Sequence, residues 1–136
     1  MTAVTELIRT EEDGTLSFGN HQLAAKGKKE GFEAGGDQYK VKTWREMTKL
    51  EKNGMFAYES VPGTSVFHFL ETQEGVSFVV AGAEDAQLTI GLEEDAEYSV
   101  KLNGEEAGRV YTNMGGKLNL SVELAGVPEV KVEIFR

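Results

Sequence analysis

From Gln87 to Phe135 the chain alternates apolar and polar residues in short runs broken by Gly and Asn: Leu88, Ile90 and Leu92, then Tyr98, Val100 and Leu102, then Leu118, Leu120, Val122 and Leu124, then Val130, Val132 and Ile134. A period of two puts every second side chain on one face of an extended strand. Each run therefore buries one face and leaves Ser99, Lys101, Asn119, Ser121 and Glu123 in water. A helix-period stripe does not fit these residues. The pattern specifies antiparallel sheet, and Asn103-Gly104 between two runs reads as a tight hairpin turn.

The first half carries similar signals. Leu7 and Ile8, the Asp13-Gly14 turn, Leu16 and Phe18 read as a hairpin. Gly27, Gly31, Gly35 and Gly36 mark an irregular surface loop with Phe32 as its single anchor. Tyr39 to Trp44 alternates, and Asn53-Gly54 predicts a further hairpin, a short helix over Arg45 to Lys52 being the rival reading. Val61-Pro62-Gly63-Thr64 predicts a type II turn with Gly63 at positive φ. The runs Val66–Leu70 and Val76–Val80 are continuously apolar around His68 and Ser77, which predicts strands covered on both faces. Asn113-Met114-Gly115-Gly116 reads as another hairpin turn, not a phosphate loop. About ten short strands with few helical windows predict an all-β antiparallel β-sandwich or jelly-roll-like double sheet with little helix. At 136 residues we expect a single domain over residues 1–136, with a seam near Gly82-Ala83-Glu84-Asp85 dividing lobes 1–82 and 83–136, the second a meander.

Composition narrows the chemistry. The chain has no cysteine, which excludes disulfides, thiolate nucleophiles and Cys-ligated zinc. With 23 acidic against 14 basic side chains and a formal charge of −9, it opposes a phosphate backbone, so no nucleic-acid partner is expected. Lys26, Lys28 and Lys29 read as a solvated loop. No apolar run reaches the length of a membrane span and no signal-peptide pattern opens the chain, so the expectation is a soluble protein, cytoplasmic by default. His21 and His68 have no second histidine at chelating spacing, and Glu93-Glu94-Asp95 lacks the spacing of a calcium loop; no metal and no cofactor are assigned. His68 itself reads as a hydrogen-bonded core or edge residue in line with Val66 and Leu70. No Gly-x-Ser-x-Gly occurs, and no catalytic residue is assigned.

The residues Tyr39-Lys-Val-Lys-Thr, Thr48-Lys-Leu-Glu, Asn53-Gly-Met-Phe, Tyr58-Glu-Ser-Val-Pro-Gly-Thr64 and Thr112-Asn-Met-Gly-Gly-Lys-Leu-Asn-Leu-Ser-Val-Glu-Leu124 resemble a family of small all-β proteins from anaerobic Gram-positive gut bacteria, over nearly the whole chain. That family often carries the automatic label "endosialidase" and supplies no residue-level role to transfer. Sialidases are similar to one another in a propeller fold, a Ser-x-Asp-x-Gly-x-Thr-Trp box and an arginine trio. A chain of 136 residues is too short for a propeller of at least four blades, at about 40 to 50 residues each.

Two functional readings follow. The first is a non-catalytic β-sandwich that binds a glycan or protein partner, or assembles into a homo-oligomer to cover its strand edges. The second is a carbohydrate-active enzyme using two of the carboxylates Glu59, Glu71, Glu74, Glu84 and Asp85. For a ligand site the sequence nominates Trp44, Tyr39 and Tyr58, with Arg45 and Glu59 beside them, because aromatic faces give apolar contact and polar neighbours give orientation. Trp44 and Tyr39 are five positions apart, so a regular strand sends them to opposite faces.

Overall fold

The computed structural model describes residues 3–136, and among these there is no helix. Thirteen strands form two antiparallel sheets packed as a β-sandwich. In chain order they are β1 (Ile8–Thr10), β2 (Leu16–Phe18), β3 (Gly27–Ala34), β4 (Asp37–Trp44), β5 (Met47–Lys52), β6 (Met55–Val61), β7 (Ser65–Thr72), β8 (Gly75–Ala81), β9 (Ala86–Gly91), β10 (Glu97–Leu102), β11 (Glu105–Tyr111), β12 (Lys117–Val122) and β13 (Val130–Phe135). The seven-stranded sheet runs β1-β2-β7-β8-β13-β10-β11, and the six-stranded sheet runs β12-β9-β6-β5-β4-β3.

The alternation does what its period requires. Val76, Phe78 and Val80 of β8, Val132 and Ile134 of β13 and Tyr98 and Val100 of β10 are buried on the inner face of one sheet; Val41, Leu50, Tyr58, Leu88, Ile90 and Leu118 answer from the other. The centre is aromatic. Tyr58 reaches across from β6 to meet Phe18 at 5.3 Å and Phe78 at 5.7 Å between ring centroids, both edge to face, the geometry favoured by ring quadrupoles. Both Asn-Gly turns hold their two central residues at positive φ, 52° and 78° at Asn53-Gly54 and 52° and 82° at Asn103-Gly104, as a two-residue hairpin demands.

Several expectations change. Residues 27–34 are not a loop: they form β3, an edge strand hydrogen-bonded to β4, with an irregularity between Lys29 and Phe32 where Gly31 takes φ 67°. Its side chains are mostly exposed, which hid it, since an edge strand that packs only Phe32 and Ala34 against the core shows no alternation. The segment 45–52 is the turn Arg45-Glu46 and strand β5, not a helix. Gly63 does not take positive φ; a side chain there is excluded by the Trp44 carbonyl, 1.9 Å from where a Cβ would stand. The Val61–Pro62 peptide is cis.

The last five strands are not a meander: β9 and β12 pair with each other in one sheet, while β10, β11 and β13 lie in the other. The Gly115-Gly116 segment therefore passes between sheets instead of closing a hairpin, although Gly116 does take φ 73°. Each sheet joins strands from both sides of residue 82, as two adjoining blocks: β1-β2-β7-β8 beside β13-β10-β11, and β12-β9 beside β6-β5-β4-β3. β7 and β8 do occupy inner positions, but only part of their outer face is covered: Val4 packs on Phe67 and Ala81, while His68 and Leu70 are exposed. Among the described residues no helix is long and apolar enough to cross a membrane.

Candidate functional site

The five residues nominated from the sequence do not meet on one surface. Tyr58 is wholly buried, and burial pushes its phenol far above the ordinary range even though Thr64 and Ser60 hydroxyls hydrogen-bond it. Tyr39 is 8% exposed and also faces the core, its phenol raised by the same desolvation. The tyrosines carry the packing between sheets. Trp44 and Glu59 are half-buried and Arg45 is exposed at the β4–β5 turn. The Trp44 ring already has partners: its Nε1–H donates to Glu46 at 3.0 Å, and the Lys26 ammonium lies 5.5 Å from the ring centroid.

A corner of the sandwich near Thr64 is also fully occupied. The Thr64 hydroxyl lies 2.7 Å from the Tyr58 hydroxyl and 2.8 Å from that of Ser60, and Thr48 Oγ1 donates to the Thr64 carbonyl at 2.7 Å while accepting from its amide at 3.1 Å. Thr43 continues the chain to Thr48 at 2.8 Å and accepts from the Asn20 amide. Among the described residues no buried side-chain nitrogen or oxygen lacks a partner. Such a satisfied network locks the chain crossing at Gly19, Gly63 and Thr64; it offers nothing to a ligand.

An accessible cleft lies elsewhere. Between the sheets, where β6 begins and β7 turns into β8, a cleft of about 370 Å3 is lined by Met55, Phe56, Glu71, Gln73, Gly75, Gly91, Leu92, Glu93, Tyr98, Gly115 and Lys117. Volumes of about 300–1,000 Å3 are typical of small-molecule sites. Its walls come from the start of β6 and the β7–β8, β9–β10 and β11–β12 connections. Glycine sets the floor. A Cβ at Gly75 would stand 1.8 Å from the Ile134 carbonyl oxygen and one at Gly91 2.5 Å from that of Phe56, so backbone passes where side chains would fill the space.

The cleft mixes apolar and polar contacts. Met55 is 72% exposed beside Phe56, over whose ring the Lys117 ammonium stands at 4.6 Å. The two carboxylates at the cleft are both engaged by cations: Glu71 by Lys52 at 3.4 Å, and Glu93 by Arg136, whose guanidinium also covers the Tyr98 ring at 5.6 Å. Among the described residues no cluster of three His, Asp or Glu is arranged to hold a metal ion. The sequence placed Met55 and Phe56 on a strand directly after the Asn53-Gly54 turn, but nothing in it says that this hairpin tip meets three other connections. Scanned against protein-family models, curated proteins and solved structures, the chain matches none.

Proposed function

We propose that this β-sandwich is a non-catalytic binding module whose end cleft holds a neutral, hydroxyl-rich ligand of the glycan class. The observation that supports it is the composition of that cleft: exposed Met55 supplies an apolar surface beside the Phe56 ring, which the Lys117 and Lys49 ammonium groups flank, and Glu71, Gln73 and Glu93 supply acceptors or amide groups around it over a glycine floor. Sugars need that combination, since their C–H faces rest on aromatic rings while their hydroxyls need oriented partners. Because Lys52 and Arg136 already engage the two carboxylates, these serve as fixed acceptors; a glycosidase needs one free to carry and deliver a proton.

The placement of Glu71 and Glu93 on one cleft favours, as the second reading, a carbohydrate-active enzyme using that pair. A glycan array probed with labelled protein, followed by calorimetry on any glycan retained, separates the two. The expected result is saturable binding without release of reducing sugar, weakened about tenfold or more by Phe56→Ala and kept by Phe56→Trp. Released sugar supports the enzyme; an empty array overturns the glycan proposal.

A further inference from the structure

A second site, on the outer face of the seven-stranded sheet, is built around the backbone of His68. Phe18 pairs with Val66 and Leu16 with Phe69, so Phe67 and His68 together oppose the single residue Ser17: β7 carries a bulge. His68 stands at φ 55°, the left-handed region that side chains other than glycine rarely enter inside a strand. Such strain persists only where surroundings hold it, and it recurs at sites of function. Here Ser17, itself buried, accepts from the His68 amide at 3.3 Å and donates to the Glu11 carboxylate, which Arg9 holds at 3.0 Å.

The bulge turns the imidazole outward, and its neighbours decide where its proton sits. Thr15 Oγ1 lies 2.6 Å from Asp13 Oδ1; the carboxylate can only accept, so the hydroxyl proton goes to Asp13. The same Oγ1, 3.1 Å from His68 Nδ1, is left as an acceptor, and Asp13 Oδ2 lies 3.4 Å from that nitrogen. Nδ1 therefore carries a proton in either charge state. Nε2 lies at the opposite edge of the ring, free to bond outward, and the ring opens on a groove of about 300 Å3 lined also by Leu70, Ser77, Val79 and Lys131. Among the described residues the Lys131 ammonium makes no ion pair. With imidazolium at His68, two cations at the groove face one carboxylate, Asp13; Glu11 is taken by Arg9, and Glu133 stands on β13 in register with Ser77.

We propose that this groove is an anion subsite, in which Lys131 and the protonated Nε2 of His68, with the Ser77 hydroxyl, hold the carboxylate or phosphate group of a small ligand. Asp13 and Thr15 act as positioning residues that keep Nδ1–H inward.

Side-chain 1H–15N NMR of the two imidazoles tests this, with inorganic phosphate and acetate as probes and His21 as the internal reference. The expected result is a saturable shift of His68 Nε2 with His21 unmoved. Lys131→Gln, an exposed substitution whose folding the backbone spectrum checks, is expected to weaken binding about tenfold. Saturation by phosphate alone assigns a phosphate group, and saturation by acetate as well assigns carboxylates too. Unsaturated drift with both probes, unchanged affinity in Lys131→Gln, or a neutral tautomer protonated on Nε2 would overturn the proposal.

Discussion

At the residue scale, two glycines show why a residue type can be read correctly for the wrong reason. Gly104 sits at φ 82° with open space around its missing Cβ, so its role is conformational and was legible in the Asn-Gly pair. Gly63 was legible as a turn residue, yet its necessity is steric: the Trp44 backbone carbonyl, 19 residues earlier in the chain, occupies the place of a side chain. Gly104→Ala is expected to cost about 1 kcal/mol through the strained φ. Gly63→Ala is expected to cost about 3 kcal/mol or more, because backbone must move in a corner locked by Thr48 and Thr64. Urea unfolding of the pair checks this, and equal midpoints would sink the distinction. Tyr58 teaches the same lesson, since an aromatic on an alternating strand is legible as facing one side but not as facing the core or solvent.

At the element scale, central strands announced themselves, as did the edge strand β12, which buries Leu118 and Val122, whereas the exposed edge strands β3 and β11 did not. β8 and β13 bury alternate side chains against a sheet on the other side, and that burial writes the periodicity. β3 and β11 end their sheets, expose most of their side chains, and are each irregular, at Lys29/Phe32 and opposite Val100/Lys101. Exposure, charge and irregularity guard such edges against pairing with other chains and also weaken them locally. Hydrogen exchange is expected to show amides of β8 and β13 opening only with global unfolding, and amides of β3 and β11 exchanging at least about a hundredfold faster. Uniform protection across both sheets would contradict this.

At the scale of the whole molecule, charge and fold act on stability in opposite senses. Hydrogen bonds and cations hold several surface carboxylates below their ordinary range: Glu11 first through Ser17 and then Arg9, Asp13 through Thr15, Glu30 through Lys28 and Glu97 through Arg109. In the acid range the unfolded chain then binds more protons than the folded one, so the stability these groups contribute is present above about pH 4–5 and is lost as pH falls through their folded values. Self-repulsion at a formal charge of −9 works the other way, since protonation relieves it. Distributed over an open surface the repulsion is screened by salt, whereas the hydrogen bonds to Glu11 and Asp13 are not. The urea midpoint in 0.15 M salt is therefore expected to fall between pH 5 and pH 3; a rise would show that relief of repulsion wins.

What the amino-acid order determined alone is local: which residues extend, where two-residue turns need positive φ, and that a chain without cysteine must rely on its apolar core. Strand pairing across the chain was decided in three dimensions, because alternation says that a strand has an inner face and leaves its neighbour unnamed. The same alternation in β9 and β10 sends one strand to each sheet. Both candidate sites belong to that second category. The end cleft exists where four connections converge, and the His68 groove exists because a bulge opposite Ser17 rotates one side chain out of line, an effect of register between two strands about fifty residues apart that no single strand encodes.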